Sequence, residues 1–345
     1  MQNEIIKSTV VPNKNGIIEN PGWARHEYMQ YVRENVKAPW YRKKEWDYYL
    51  FNTDEIAVAF TISDLGYIGL LSASVIDLKN SVEHTESELV LLPRGKKFGL
   101  GTTVQDYHAE SHTKRLSLIF GGKDSVRTIK CDFTNFDGDK NLSADLTIYQ
   151  PDMESMFICT PWKEKETAFY YNCKMNCLEA TGTVIYGDKK IILEKGKCFG
   201  CLDWGRGVWT YDNTWYWGTG SGLLNGKSFG INLGYGFSDR SKVSENCIYY
   251  DGKVHKLSEI QFKIPTDENG NFEYMKPWKV TSDDGRFEAD FKPIIDRNAK
   301  MNVAIILTDQ HQVFGKLTGK AILDDSSVIN FENFICALEV VRNKY

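Results

Sequence analysis

The densest chemistry in the sequence lies between Cys198 and Trp217, CFGCLDWGRGVWTYDNTWYW. Asp203, Arg206 and Asp212 stand there among Trp204, Trp209, Tyr211, Trp215 and Trp217. Glycines at 200, 205 and 207 permit unusual dihedrals and are expected to break regular strand structure. In an extended chain alternate residues share a face. Trp204 and Arg206 would then stand together, guanidinium over indole, and Asp203 would face the other way with Gly205 and Gly207. A carboxyl among glycine and aromatic side chains, drawn out of water, is a candidate proton donor. The competing reading is a structural ion pair between Asp203 and Arg206 at a turn.

Immediately downstream, Ser228 to Phe237 reads SFGINLGYGF. One face carries Phe229, Ile231, Leu233 and Tyr235; the other carries Gly230, Asn232 and Gly234 and is almost bare. A bare strand face either admits another part of the protein or leaves room for a ligand. Gly218 and Gly220 suggest a comparable face on the strand before it, and the two together are expected to line a cavity in a barrel. Glu245 and Asn246 follow the loop 238–244 and either close over a site or cap the turn. Asp64 ends an alternating strand just before Gly66 and Tyr67, where a turn-forming role competes with a functional one.

Other patterns fall short of a site. Cys173, Cys177, Cys198 and Cys201 approach a zinc spacing, but the last two would face opposite sides of a continuous strand. No metal is expected. Gly218-x-Gly220-x-Gly222 lacks the spacing and the helix of a dinucleotide fingerprint, so no cofactor is expected. His108 and His112 have Ala109 where a metalloprotease helix needs glutamate. The basic run Arg42-Lys43-Lys44 sits beside Trp40, Tyr41 and Trp46, but it is short and the net charge is −4, so no nucleic-acid partner is expected.

Strands must position these residues. Aromatics make up 13% of the 345 residues, which favours sheet. Residues Ile56 to Asp64 alternate cleanly, with Val58, Phe60 and Ile62 on one face. Similar short runs recur to Val341, including Ala168–Met175, Leu178–Ile185, Val303–Leu307 and Ile335–Val341, and Asx-Gly pairs such as Asn225-Gly226 and Asp251-Gly252 suit hairpins. Trp23 to Val36 is expected to be turn-rich or briefly helical, and Pro151 to Lys165 to act as a hinge. The expected fold is mostly β, two antiparallel barrels with little helix, divided as residues 1–165 and 166–345. No apolar run is long enough to span a bilayer, and eight scattered cysteines without a basic-apolar leader suggest a reducing, cytoplasmic location.

The central segment Leu202-Asp203-Trp204-Gly205-Arg206-Gly207 resembles the DUF2804 family. So do Trp215-Tyr216-Trp217, Gly230-Ile231-Asn232-Leu233-Gly234 and Glu245-Asn246. Asn20-Pro21-Gly22, Lys44-Glu45-Trp46-Asp47-Tyr48-Tyr49, Asp64-Leu65-Gly66-Tyr67 and Gln312-Val313-Phe314-Gly315 extend the likeness over nearly the whole chain. Tyr345 and Ala337 stand where the family pattern would place Trp and Gly. More distantly, Tyr170-Tyr171, Gly182, Gly200 and the Asp203 segment resemble the AttH-like and carotenoid 1,2-hydratase proteins, though the histidine that follows the aspartate there is missing.

That distant resemblance implies two lipocalin-like (calycin) barrels and an apolar cavity with a few polar groups. The expected activity is a cofactor-independent hydration, cyclisation or isomerisation of a hydrophobic unsaturated small molecule. Asp203 and Arg206 would be catalytic. Trp204, Trp209, Tyr211, Trp215, Trp217, Asn232, Glu245, Asn246, Asp64 and Tyr67 would line the ligand. The alternative is a non-catalytic carrier of an apolar ligand or lipid. An enclosed acid would favour the enzyme; an all-apolar cavity would favour the carrier.

Overall fold

The computed structural model describes residues 2–105, 108–303 and 306–344. Among these the protein is built from two curled antiparallel sheets, lipocalin-like half-barrels, as expected. The main path of the first sheet runs in space Val82–Leu91, Ile68–Asp77, Ile56–Asp64, Lys43–Asn52, Phe199–Val208, Lys165–Tyr186, Lys140–Tyr149, Val126–Asp137, Leu116–Lys123, His108–His112. The second runs Lys253–Lys256, Cys247–Tyr250, Lys227–Tyr235, Asp212–Leu224, Val328–Lys344, Ile306–Ile322, Phe287–Val303, Trp278–Ser282, Ile260–Lys263. Helix among the described residues is limited to the short 3-10 turns Arg33–Asn35 and Trp40–Arg42. No described helix is long and apolar enough to cross a membrane.

Alternation explains the layers. In Ile56–Asp64, Val58, Phe60 and Ile62 enter the first core, which also holds Tyr49, Phe51 and Trp204. The intervening Ala57 and Ala59 face the other sheet. The second core gathers Phe229, Ile231, Leu233, Trp278 and Phe291. Between the sheets lies a third cluster, with Tyr48, Leu50, Cys201, Trp217, Phe314 and Ala337. Small residues on this contact face let two sheets approach closely. The strands that cross the centre are therefore buried on both faces.

Several sequence expectations change. The segment 151–165 is no hinge, because Met156–Trp162 forms a strand between Gly22–Ala24 and Lys165–Tyr186. The separate runs expected at 168–175 and 178–185 are one long strand, interrupted by a bulge between Met175 and Leu178 where Cys177 has φ 59°. The glycines at 200, 205 and 207 do not break Phe199–Val208; they let neighbours lie against a continuous strand. Strands 165–208 pair within the first sheet, so the chain passes from one sheet to the other between Val208 and Asp212, not at 165/166. The stretch 23–36 has the expected brief helical turn, Arg33–Asn35, but also residues of two short strands, Gly22–Ala24 and Met29–Tyr31. Tyr345, and residues 304–305 of the expected Val303–Leu307 strand, lie outside the described residues.

Glycine 200 gives a direct test of this close packing. A Cβ there would overlap the Leu50 carbonyl of the adjacent strand, whereas one at Gly222 would sit 3.3 Å from the Phe334 ring edge. Gly200→Ala is expected to cost about 1–3 kcal/mol by overpacking. Gly222→Ala should cost markedly less. Urea midpoints measure both, and equal midpoints would contradict the packing.

Candidate functional site

The register of three adjacent strands fixes the site. Asp203 on Phe199–Val208 lies opposite Tyr48 on one side and Lys174 on the other. One row along, Gly205 lies between Trp46 and Asn172. Paired residues point to the same face, here the face toward the second sheet. Gly205 is required because a Cβ would enter the Trp46 ring. The indole lies across it and its Nε1 donates to Asp203 Oδ1 at 3.2 Å. Asn172 Nδ2 donates to the same oxygen at 2.7 Å. Lys174 Nζ reaches Oδ2 at 2.8 Å.

The second sheet completes the arrangement. The Lys174 ammonium sits 4.6 Å from the Trp217 ring centre. Trp217 Nε1 donates to Asn232 Oδ1 at 2.9 Å, and Asn232 Nδ2 donates to the Glu245 carbonyl at 2.9 Å. The Tyr170 hydroxyl donates to Glu245 Oε2 at 2.8 Å. The Tyr170 ring stacks on Trp46, centres 6.4 Å apart, which returns to Asp203. These contacts form a closed ring across both sheets. Glu339 stands beside it, accepting from Trp215 Nε1 at 2.8 Å and from Gln310 and Gln312, each at 3.0 Å. Trp209 packs edge-on against Trp46, Tyr170 and Trp215 and stacks on Phe237. Asp203 keeps 13% of its side-chain surface, and Trp46 and Trp215 are also only partly covered, so the ring is open on one side.

Burial decides the electrostatics. It pushes the Glu245 carboxyl above the usual glutamate range, more than Lys174 and the Tyr170 hydroxyl draw it back. Glu339 is raised for the same reason. For Lys174 burial acts against the cation, but the charges of Asp203 and Glu245 outweigh it and the amine is held above its ordinary value.

Of the residues singled out in the sequence, the fold brings together Asp203, Trp209, Trp215, Trp217, Asn232 and Glu245. Arg206 and Trp204 point to the opposite face, into the first core. The guanidinium does stack on the indole, 3.9 Å from the ring centre. Its carboxylate partner is Asp47 at 3.0 Å, and it also donates to the Gly101, Trp46 and Gly205 carbonyls. The Asp203–Arg206 pair of the competing reading therefore does not form, because the two side chains stand on opposite faces of one strand. Asn246 ties the Gly234 amide to the Ser258 carbonyl. Asp64 accepts the Gly66 and Gly95 amides at 2.7 and 2.6 Å, and Tyr67 lies beneath the Lys44 ammonium, away from the ring. Tyr211 is exposed between the sheets.

The bare face downstream is filled by protein. A Cβ at Gly234 would overlap the Glu245 carboxylate, and one at Gly230 would meet Cys177 Sγ at 2.9 Å. Gly218 and Gly220 pair with Leu233 and Ile231, so they lie on the other side of the sheet from Gly230 and Gly234. The two glycine faces do not line one cavity. Lys174, Asn172, Trp46, Tyr48 and Glu339 were not singled out as site residues. A signal existed for the first two: Tyr170, Asn172, Lys174 and Asn176 place a polar group at every second position of an otherwise apolar run.

The family described as "Domain of unknown function (DUF2804)" matches residues 2–345. No curated protein matches the chain. Among solved structures, kievitone hydratase from Nectria haematococca superposes with a TM-score of 0.50 at 11% identity, covering 100% of this chain and 98% of that one. CghA gives 0.47 at 10% identity, covering 100% and 97%. An AttH protein from Nitrosomonas europaea gives 0.42 at 11%, covering 88% and 93%. The first likeness is one of fold.

Two variants separate structural from chemical groups. Arg206→Met leaves Asp47 buried and uncompensated and is expected to lose about 3–5 kcal/mol of stability; a urea midpoint within error of wild type would contradict that role. For Glu245 the folded value lies above the unfolded one, so the folded state holds the proton more tightly. Its stabilising contribution is complete below the unfolded value and is lost as pH rises through the folded one. Glu245→Gln should flatten that decline. Melting curves from acid to neutral pH measure the difference in slope, and parallel profiles would refute it.

Proposed function

The chain belongs to the DUF2804 family, and we propose that it is a lyase- or isomerase-type enzyme, working without a redox cofactor on a hydrophobic, unsaturated small molecule. One observation carries this reading: two carboxyl groups in unlike surroundings share a single ring of contacts. Glu245 is enclosed and raised by burial. Asp203 receives donors from Lys174, Asn172 and Trp46. Unlike surroundings are how paired carboxyls divide acid and base roles. A carrier would need a more apolar enclosure than this charged ring provides.

The roles follow from the contacts. Asp203, nominated by sequence as the donor, fits an acceptor better, since the groups around it all donate. Glu245, hydrogen-bonded by the Tyr170 hydroxyl, is the proton source. In a hydration, one alkene carbon takes a proton from the Glu245–Tyr170 pair. The oxygen of a water bonds to the neighbouring carbon, and that water gives its proton to Asp203. Transfer of this proton back to Glu245 through solvent resets the pair. Elimination is the same sequence reversed. Trp46, Trp209 and Trp215 would form a wall whose π-faces tolerate positive charge on carbon. That a protein of this fold is named a hydratase is consistent with the reading. Arg206 is assigned to the scaffold in this scheme. A cytoplasmic location goes with it, on the eight buried thiols.

Mass spectrometry of small molecules released from the purified protein is the first test, and recovery of only polar compounds would count against it. Incubation of the recovered compounds in isotopically labelled water should give products heavier by one labelled water, or rearranged isomers. Asp203→Asn and Glu245→Gln should each lower turnover by about 100-fold or more. Full turnover in both variants would sink the assignment.

A further inference from the structure

Two neighbouring segments at one rim of the first sheet combine exposed apolar side chains with basic ones. Residues 37–44 read KAPWYRKK and residues 89–97 read LVLLPRGKK; neither contains a carboxylate, although the chain as a whole is net acidic. Tyr41 is 47% exposed and Leu91 71%, and Trp40, Leu89 and Leu92 are likewise open. The loops touch where the Arg94 guanidinium lies 4.8 Å above the Trp40 ring; within the second loop Lys97 donates to the Leu91 carbonyl. Exposed Glu34 faces Lys43, while three other nearby carboxylates are engaged elsewhere. Glu45 is buried against Arg33, Glu88 faces Arg115, and Asp64 accepts backbone amides.

The rim is also held in shape. Asp64 bridges the Gly66 and Gly95 amides, while Leu92 and Arg94 donate to the Tyr67 and Gly66 carbonyls. Leu92 has φ 51° and Arg94 φ 57°, a region that bulky residues adopt only when their surroundings impose it. The loop thus holds Leu92 with nearly half of its surface exposed.

We propose that this rim docks on the surface of an anionic lipid bilayer. Leucines supply the buried apolar area, Trp40 and Tyr41 suit the headgroup level, and Arg94, Lys96 and Lys97 meet lipid phosphates and carboxylates. Single-stranded nucleic acid shares the charge requirement and would find stacking platforms in Trp40 and Tyr41, but it offers the exposed Leu89, Leu91 and Leu92 no apolar interior to enter. Arg42, at the base of the rim, donates to the Trp209 carbonyl beside the aromatic wall. The rim and the ring are therefore neighbours, although the docking stands independently of the reaction.

Sedimentation of the full chain with vesicles of phosphatidylcholine alone, and of phosphatidylcholine mixed with phosphatidylserine, tests this. Binding should require phosphatidylserine and weaken as salt is added. The double variant Lys96→Glu, Lys97→Glu should reduce partitioning by about tenfold or more. Leu91→Ser should reduce it even at low salt. Brominated lipid should quench part of the tryptophan fluorescence, and Trp40→Phe should abolish that part. Indifference of the wild-type protein to phosphatidylserine overturns the proposal. So does tight retention on oligothymidylate that the lysine variants abolish, which would make the rim a nucleic-acid surface.

Discussion

The ammonium of Lys174 is almost completely buried, and much of the structure follows from that. A buried cation without counter-charge costs several kcal/mol even after the protein relaxes. Asp203 answers it from the neighbouring strand, Glu245 from beyond the second sheet's Gly-faced strand, and the Trp217 ring from the second sheet itself. Neither sheet satisfies the charge alone. The contact between the sheets is therefore specified by electrostatics as well as by the small and apolar residues around it. A hydrophobic replacement would fill the same space at lower cost, so the retained charges fit chemistry better than stability alone.

The architecture was legible because alternation survives wherever one face differs from the other. Ile56–Asp64 has the bounds that its sequence suggests. Legibility failed where both faces are buried. In Lys165–Tyr186 polar and apolar side chains alternate between two interiors, and a bulge in the middle looks like an end. The strand Met156–Trp162 was hidden by Pro161, which the structure places near the strand's end, beside a register shift. The passage between sheets was misplaced because proline and mixed composition suggested a boundary that hydrogen bonding ignores.

The site was partly legible for the same reason. The sequence placed Asp203 and Trp204 on opposite faces correctly, and the stacking of Arg206 on Trp204 with it. It did not supply partners distant along the chain. Asp47 for Arg206, and Lys174 for Asp203, become neighbours only through strand register. Glycine was the most misleading signal. Gly205 read as a strand breaker and Gly234 as part of a face with room for a ligand, yet each accommodates a side chain of this protein, Trp46 and Glu245, that the ring requires.

The bulge in the long strand has a further consequence. Beside it Asn176, on the same face as Lys174, meets the second sheet, where its amide donates to the Ile231 carbonyl at 2.9 Å and the Thr219 hydroxyl at 3.0 Å. The next amide, Cys177 N, bonds the Ser221 hydroxyl at 3.0 Å. These bonds replace water at buried polar groups on both sides, so separating the sheets strands donors and acceptors together. Parting the sheets is therefore opposed by these polar groups as well as by the apolar cluster between them.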